Sequence, residues 1–193
     1  MLKENKRLKS QADKDILRRV KDDMFNETIP TAVTIKKNFK FVSEIKTAQN
    51  IACKNSTCES VAKDVRKMLK KVDDYEVGEV LVCRKYLKVS VSLKCSVNYE
   101  YTVKAVKANS IVLQELSASS TIELKLHAIR KYFTHSYCRT AHSFQGSSIS
   151  GAKTIFDWRF FFVSRKWLYT SVTRAPELKG GVLLRSQGII CRV

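Results

Sequence analysis

TAHSFQGSS, residues Thr140 to Ser148, is a polar, glycine-containing stretch crowded with hydroxyls, an imidazole and an amide, and it is flanked by segments of a different character. Before it, Phe133 to Tyr137 reads as a strand. After it, Lys153 to Phe156 reads as another, followed by a helix near Ser164 to Ala175 whose Leu168, Val172 and Ala175 share an inward face, with Trp167, Ser171 and Arg174 along another edge. Pro176 disfavours helical geometry at Ala175, and Gly180 with Gly181 turns the chain into a third strand at Val182 to Leu184. Strands and helices alternating in this way predict an α/β fold, a parallel sheet with helices on both faces. Polar segments at the strand ends of such sheets are where ligands bind, so Thr140 to Ser148 is the first candidate site.

The same unit extends towards the N-terminus. Asn50 to Cys53 reads as a short buried strand, and Ser56 with Glu59 forms a capping box at the start of a helix. On that helix Val61, Val65, Met68, Leu69 and Val72 fall on one face, opposite Lys and Asp residues. Asn55, Ser56 and Thr57 offer amides and hydroxyls to a phosphate at the helix N-terminus, although Ser56 serves equally as a plain cap. Residues 1–25 show Ile16, Leu17 and Val20 at helical spacing in a charged, solvated segment. Pro30 interrupts it, and 31–49 read as helix plus loop.

Between these parts the periodicity changes to two. Leu87, Val89, Val91 and Leu93 alternate with polar residues, as do Tyr99, Tyr101 and Val103, and Ile111 to Leu113 adds a further strand. Short strands over 79–116 predict a small inserted antiparallel β-barrel, followed by a helix around Glu123 to Lys131. The expected organisation is therefore a helical lead-in at 1–49, an α/β domain made of 50–78 and 117–193, and the insert at 79–116.

The chain has 193 residues, and its 44% hydrophobic content is enough to bury a core. Lys and Arg number 36 against 18 Asp and Glu, a net charge of +18 that favours a nucleic-acid partner. The six cysteines form no CxxC pair, and the three histidines are not spaced among them as zinc ligands, so no metal site is expected. No apolar stretch is long enough to span a bilayer and none opens the chain as a signal sequence, so no membrane partner and an intracellular location (cytoplasm or nucleus) with free thiols are expected.

Two segments taken together go further. TAHSFQGSS at 140–148 and YTSVTRA at 169–175 resemble motifs V and VI of superfamily 1 helicases of the RecD-like branch, with the patterns T-x-H-x-x-Q-G-S and Y-x-x-x-T-R-A. NIACKNSTC at 50–58 looks like the segment around motif IV, and the family commonly inserts a small β-barrel between there and motif V. The likeness covers residues 50–185 and is closest to the divergent helicase-like proteins of viruses and mobile elements. It implies that the α/β domain is RecA-like, the second of the two domains of a helicase motor.

The resemblance also assigns roles. Arg174 is placed like an arginine finger, the catalytic guanidinium that stabilises charge on transferring phosphate, with Thr173, Gln145 and Gly146 beside the nucleotide. Thr140, His142 and Ser143 match the part of motif V that touches the nucleic-acid backbone, and Asn55, Ser56 and Thr57 add to that surface. Trp158 and Phe160 to Phe162 are assigned to the core rather than to base stacking. No G-x-x-x-x-G-K-[ST] occurs in the sequence, so ATP and Mg²⁺ are expected only together with a first RecA-like domain, joined upstream or supplied by another chain. The expected function is the C-terminal half of a helicase motor acting on single-stranded DNA and unable to hydrolyse ATP alone. The alternatives are a non-catalytic nucleic-acid-binding module and an inactive helicase remnant.

Overall fold

In a computed structural model the described residues are 10–25, 31–45, 47–90, 93–116, 118–144, 151–159, 163–174, 178 and 182–185. Gln145, Gly146 and Phe160 to Phe162 lie outside them. The chain begins with α1 (Gln11–Phe25), α2 (Thr31–Asn38), β1 (Lys40–Val42), β2 (Gln49–Ala52) and α3 (Asn55–Met68). There follow β3 (Val80–Cys83), β4 (Leu87–Lys88), β5 (Lys94–Cys95), β6 (Glu100–Val106), β7 (Ser110–Glu115) and β8 (Thr121–Lys125). The last elements are α4 (Leu126–Tyr132), β9 (Phe133–His135), β10 (Cys138–Thr140), β11 (Lys153–Ile155), α5 (Arg165–Val172) and β12 (Val182–Arg185).

The α/β expectation holds. Residues 1–58 and 138–193 form one compact unit, built on a parallel sheet in the order β1-β12-β11-β2-β10. Its core joins Ile51, Ile155, Val182 and Leu184 from the strands to Leu168 and Val172 from α5. Leu17 and Val20 of α1, with Ile35 and Phe39, belong to this same core. The segment 1–49, expected as a helical lead-in, thus adds a strand as well, because β1 pairs with β12. Asp13 of α1 accepts a hydrogen bond from the Leu178 amide at 3.2 Å, tying α1 to the chain beyond α5. Trp158 is buried in this core as expected, its indole donating to the Arg185 carbonyl at 2.9 Å.

Residues 59–137 form the second unit. Its main sheet is antiparallel in the order β8-β7-β6-β3-β9, with a small β4-β5 ribbon. Along β6 the residues Tyr101 and Val103 are buried while Lys104 is exposed, the alternation the sequence predicts. The buried Arg66 guanidinium pairs with the Glu79 carboxylate, which also accepts from the Tyr137 hydroxyl at 2.9 Å.

Several local expectations are corrected. Phe133 to Tyr137, read as part of the parallel layer, contributes β9, which pairs antiparallel with β3. Thr121–Lys125 is a strand rather than the start of a helix, because its Ile122 and Leu124 alternate into the core beside β7. The amphipathic face of α3 stops at Met68, since Lys70 takes a left-handed conformation (φ 57°) that breaks the helix and leaves Val72 in solvent. Ser171, read on an outer edge of its helix, is fully buried, its hydroxyl donating to the Trp167 carbonyl at 2.9 Å.

Candidate functional site

Because the sheet is parallel, the C-terminal ends of β2, β10 and β11 lie side by side. The segments that follow them carry α3 from Asn55, the loop after Thr140, and Asp157. All six residues expected to touch nucleic acid therefore stand at one edge of one sheet, the edge where ligands of open α/β folds collect.

At the α3 start the capping differs from the expectation. The helix already includes Ser56, and the cap is supplied by Asp157 from the end of β11, about a hundred positions away. Its carboxylate accepts from the amides of Cys53 at 3.2 Å and Lys54 at 3.1 Å, and from the Thr57 hydroxyl at 3.1 Å. Asp157 takes a left-handed φ of 56°, which a short polar side chain tolerates better than most. Glu59, the other half of the expected capping box, instead has its carboxylate 3.5 Å from Arg84. One negative charge thus already sits where an incoming phosphate would meet the helix, and Thr57 is engaged by it.

The loop after β10 is held by its own hydrogen bonds. The Ser143 hydroxyl donates to the Thr140 carbonyl at 2.9 Å, and its amide donates to the same carbonyl at 3.0 Å. Buried Arg139 donates to the Ser143 hydroxyl at 3.3 Å and to its carbonyl, while its guanidinium lies 4.5 Å from the Phe144 ring centre. Thr140 and Ser143 are accordingly committed to the shape of the turn. His142 is the exposed member of the three.

Helix α5 starts at the same edge, where the Ser164 hydroxyl accepts from the Trp167 amide at 3.1 Å as the helix cap. It ends near the beginning of β11. There Lys153, fully buried, donates through Nζ to the carbonyls of Ser171 at 2.7 Å and Val172 at 3.3 Å, satisfying groups that a helix terminus leaves without internal partners. Burial, reinforced by the charge of nearby Arg174, pulls the Lys153 amine down to about 6, so it is neutral at physiological pH. Thr173 follows as the cap residue, with its hydroxyl donating to the Thr170 carbonyl at 3.0 Å, and half-buried Arg174 comes next. The Arg174 guanidinium therefore carries its charge beside a neutral amine, at the opposite end of α5 from His142.

The sequence reading missed Asp157, Arg139 and Lys153. The first two left no local signal, since a cap from a distant strand and an arginine folded under its own loop are set by tertiary structure. Lys153 did leave one: a lysine opening a short apolar stretch, in a strand flanked by others, is forced inside.

No known protein family and no curated protein matches the chain. Solved helicases do match in structure. The Bacteroides Pif1 helicase in complex with ADP-AlF3 and ssDNA aligns with a TM-score of 0.59 at 15% identity, over 97% of this chain and 52% of that one. A structure describing DNA unwinding at forked dsDNA by two coordinating Pif1 helicases gives 0.58 at 13% identity, over 96% and 49%. Pif1 from Candida albicans gives 0.54 at 10%, over 96% and 56%. The chain thus spans about half the length of these proteins, and at such identities the likeness is one of fold alone, a parallel α/β sheet accompanied by an antiparallel sheet.

Proposed function

We propose that the chain is the C-terminal half of a RecD-like superfamily 1 helicase motor working on single-stranded DNA. In this reading it closes on a first RecA-like domain, in cis or in trans, that brings the phosphate-binding loop absent from this sequence. The observation that carries the reading is the pairing of two motif-like segments, 140–148 and 169–175, with a fold that matches solved Pif1 helicases in structure.

Arg174 is the catalytic group on this reading. A half-buried guanidinium beside a neutral lysine fits an anion of high charge, and ATP with Mg²⁺, when bound between the two domains, supplies the phosphoryl group whose transfer drives the motor. Arg174 stabilises charge on that group, and Thr173, Gln145 and Gly146 line the nucleotide beside it. His142 leads the nucleic-acid contacts, with Thr140 and Ser143 shaping its loop and Asn55, Ser56 and Thr57 alongside. The net charge of +18 supplies long-range attraction to phosphates. An intracellular place of work accords with free thiols at Cys53, Cys58, Cys83, Cys95 and Cys138; no helix among the described residues is long and apolar enough to cross a membrane.

Fluorescence anisotropy of the purified chain with labelled oligo-dT tests the nucleic-acid half of the reading. Binding should weaken by orders of magnitude between roughly 50 and 200 mM salt, as released counterions require when several phosphates are neutralised. No binding at the lower salt, or binding indifferent to salt, would refute it.

A further inference from the structure

A cavity of about 180 Å³ opens between the loop after β10 and the first turns of α5, lined by Ala141, His142, Ser164, Lys166, Trp167 and Thr170. It lies on the ligand-collecting edge of the sheet, at the end of α5 away from Arg174. Its volume is below the roughly 300–1,000 Å³ typical of pockets that enclose a whole cofactor. A piece the size of one base with its adjoining phosphate fits, and a nucleoside triphosphate does not.

The lining has a definite chemistry. Trp167 packs partly against the core and gives part of its side chain to the cavity. Lys166 and His142 are exposed at the rim, and Thr170 adds a hydroxyl. The Ser164 hydroxyl is held by the Trp167 amide, which fixes the first turn of the helix. Among the described residues no carboxylate lines the space. An aromatic surface, a cation and hydroxyls without an acid suit a flat, neutral ring carrying an anion.

We infer that this cavity holds one nucleotide of a bound single strand, with the base against Trp167 and its phosphate on Lys166. The inference rests on the nucleic-acid reading above and adds to it a base-contacting site, where motif-like residues alone offer contacts to backbone. Neither Lys166 nor Trp167 belongs to the segments on which that reading was built. Lys166 projects into solvent, so its removal leaves the fold intact. Trp167→Leu keeps an apolar side chain against Leu168 and the rest of the core.

The test uses the full chain and two labelled probes of equal length, oligo-dT and its abasic counterpart, with circular dichroism to verify folding. Trp167→Leu should weaken oligo-dT binding by about tenfold or more while changing abasic-strand binding by less than about twofold, because stacking is lost only where a base is present. Lys166→Ala should lower the slope of log affinity against log salt by about 0.7, the share of one phosphate on a single strand. Lys104→Ala, in the antiparallel unit, controls for general loss of charge. Wild-type affinity for both probes in both variants, with an unchanged salt slope, overturns the pocket and leaves the nucleic-acid reading standing. Failure of the wild-type chain to bind either probe overturns that reading and the pocket with it. Should Trp167→Leu fail to fold, the salt slope of Lys166→Ala decides the matter alone.

Discussion

Replacing Lys153 with Met makes the sharpest prediction, because the group is buried and its partners among the described residues are backbone carbonyls rather than a carboxylate. In the unfolded chain a lysine titrates near 10.5, whereas in the fold Lys153 is held at about 6. The sign follows from linkage: the folded-state value is depressed, so stability is full above 10.5 and is lost as pH falls towards 6, where the unfolded chain binds a proton that the native state refuses. Between those limits the cost grows by ~1.4 kcal/mol per pH unit, reaching ~4 kcal/mol at about pH 7.5. Against this stand two hydrogen bonds to the Ser171 and Val172 carbonyls, together worth ~2 kcal/mol.

Lys153→Met removes both effects. The variant should be less stable than wild type near the top of the pH range and equal or more stable near neutrality, with the two curves crossing between. Urea unfolding followed by circular dichroism at about pH 6.5 to 9.5 measures this, and other titrating groups cancel in the difference between the proteins. The difference should have a slope of ~1.4 kcal/mol per pH unit. Parallel stability curves would show that Lys153 is charged in the fold and would refute the reasoning.

Four other outcomes are expected. The isolated chain should not hydrolyse ATP with oligo-dT present, since one wall of a RecA-type site comes from another domain; phosphate release above a denatured control, abolished by Arg174→Ala, would contradict this. In a motor reconstituted with a first RecA-like domain, Arg174→Ala should cut turnover by on the order of 10³ or more with strand affinity little changed, and turnover within a few-fold of wild type would remove the finger assignment. In the same system His142→Ala should weaken strand binding and the stimulation that depends on it more than basal turnover; equal losses in all three would refute the division. Asp157→Ala should cost about 1–2 kcal/mol in urea unfolding and Ser56→Ala a few tenths, because Asp157 is the acceptor at the α3 start, and the reverse order would restore the local cap.

What the sequence made legible followed from local chemistry. β2, β11, α5 and β12 are bounded by caps, glycines and a proline, and their apolar spacing suits the structure each adopts. β1 escaped because Lys40–Val42 is three residues beside charged neighbours and exists only by pairing with β12, a non-local gain that propensity does not record. β9 was recognisable as a strand, yet nothing in Phe133–His135 states whether its neighbours run parallel or antiparallel. Thr121–Lys125 contains Glu, Leu and Lys, all good helix formers, and its ladder with β7 overrides them. In the site, Thr140, His142 and Ser143 were found together, but their division of labour was not. It depends on Arg139, whose guanidinium lies under the loop and commits Ser143 to the turn, leaving His142 outward.

The placement of the candidate residues along α5 bears on how a motor of the proposed kind would couple its two ligands. His142 and the Trp167 cavity stand at one end of this helix and Arg174 follows the other, separated by eight helical residues, or ~12 Å at about 1.5 Å per residue. Both ends are tied: Ser164 closes the first turn, and Lys153 holds the last two carbonyls to the start of β11. Leu168 and Val172 pack the middle against the sheet. A short helix fixed at three points moves as a body with its sheet rather than bending. On the proposed reading, a strand engaging the His142 end therefore changes the reach of Arg174 by displacing the whole domain relative to its partner, and the neutral amine of Lys153 keeps the guanidinium as the charge presented across that cleft.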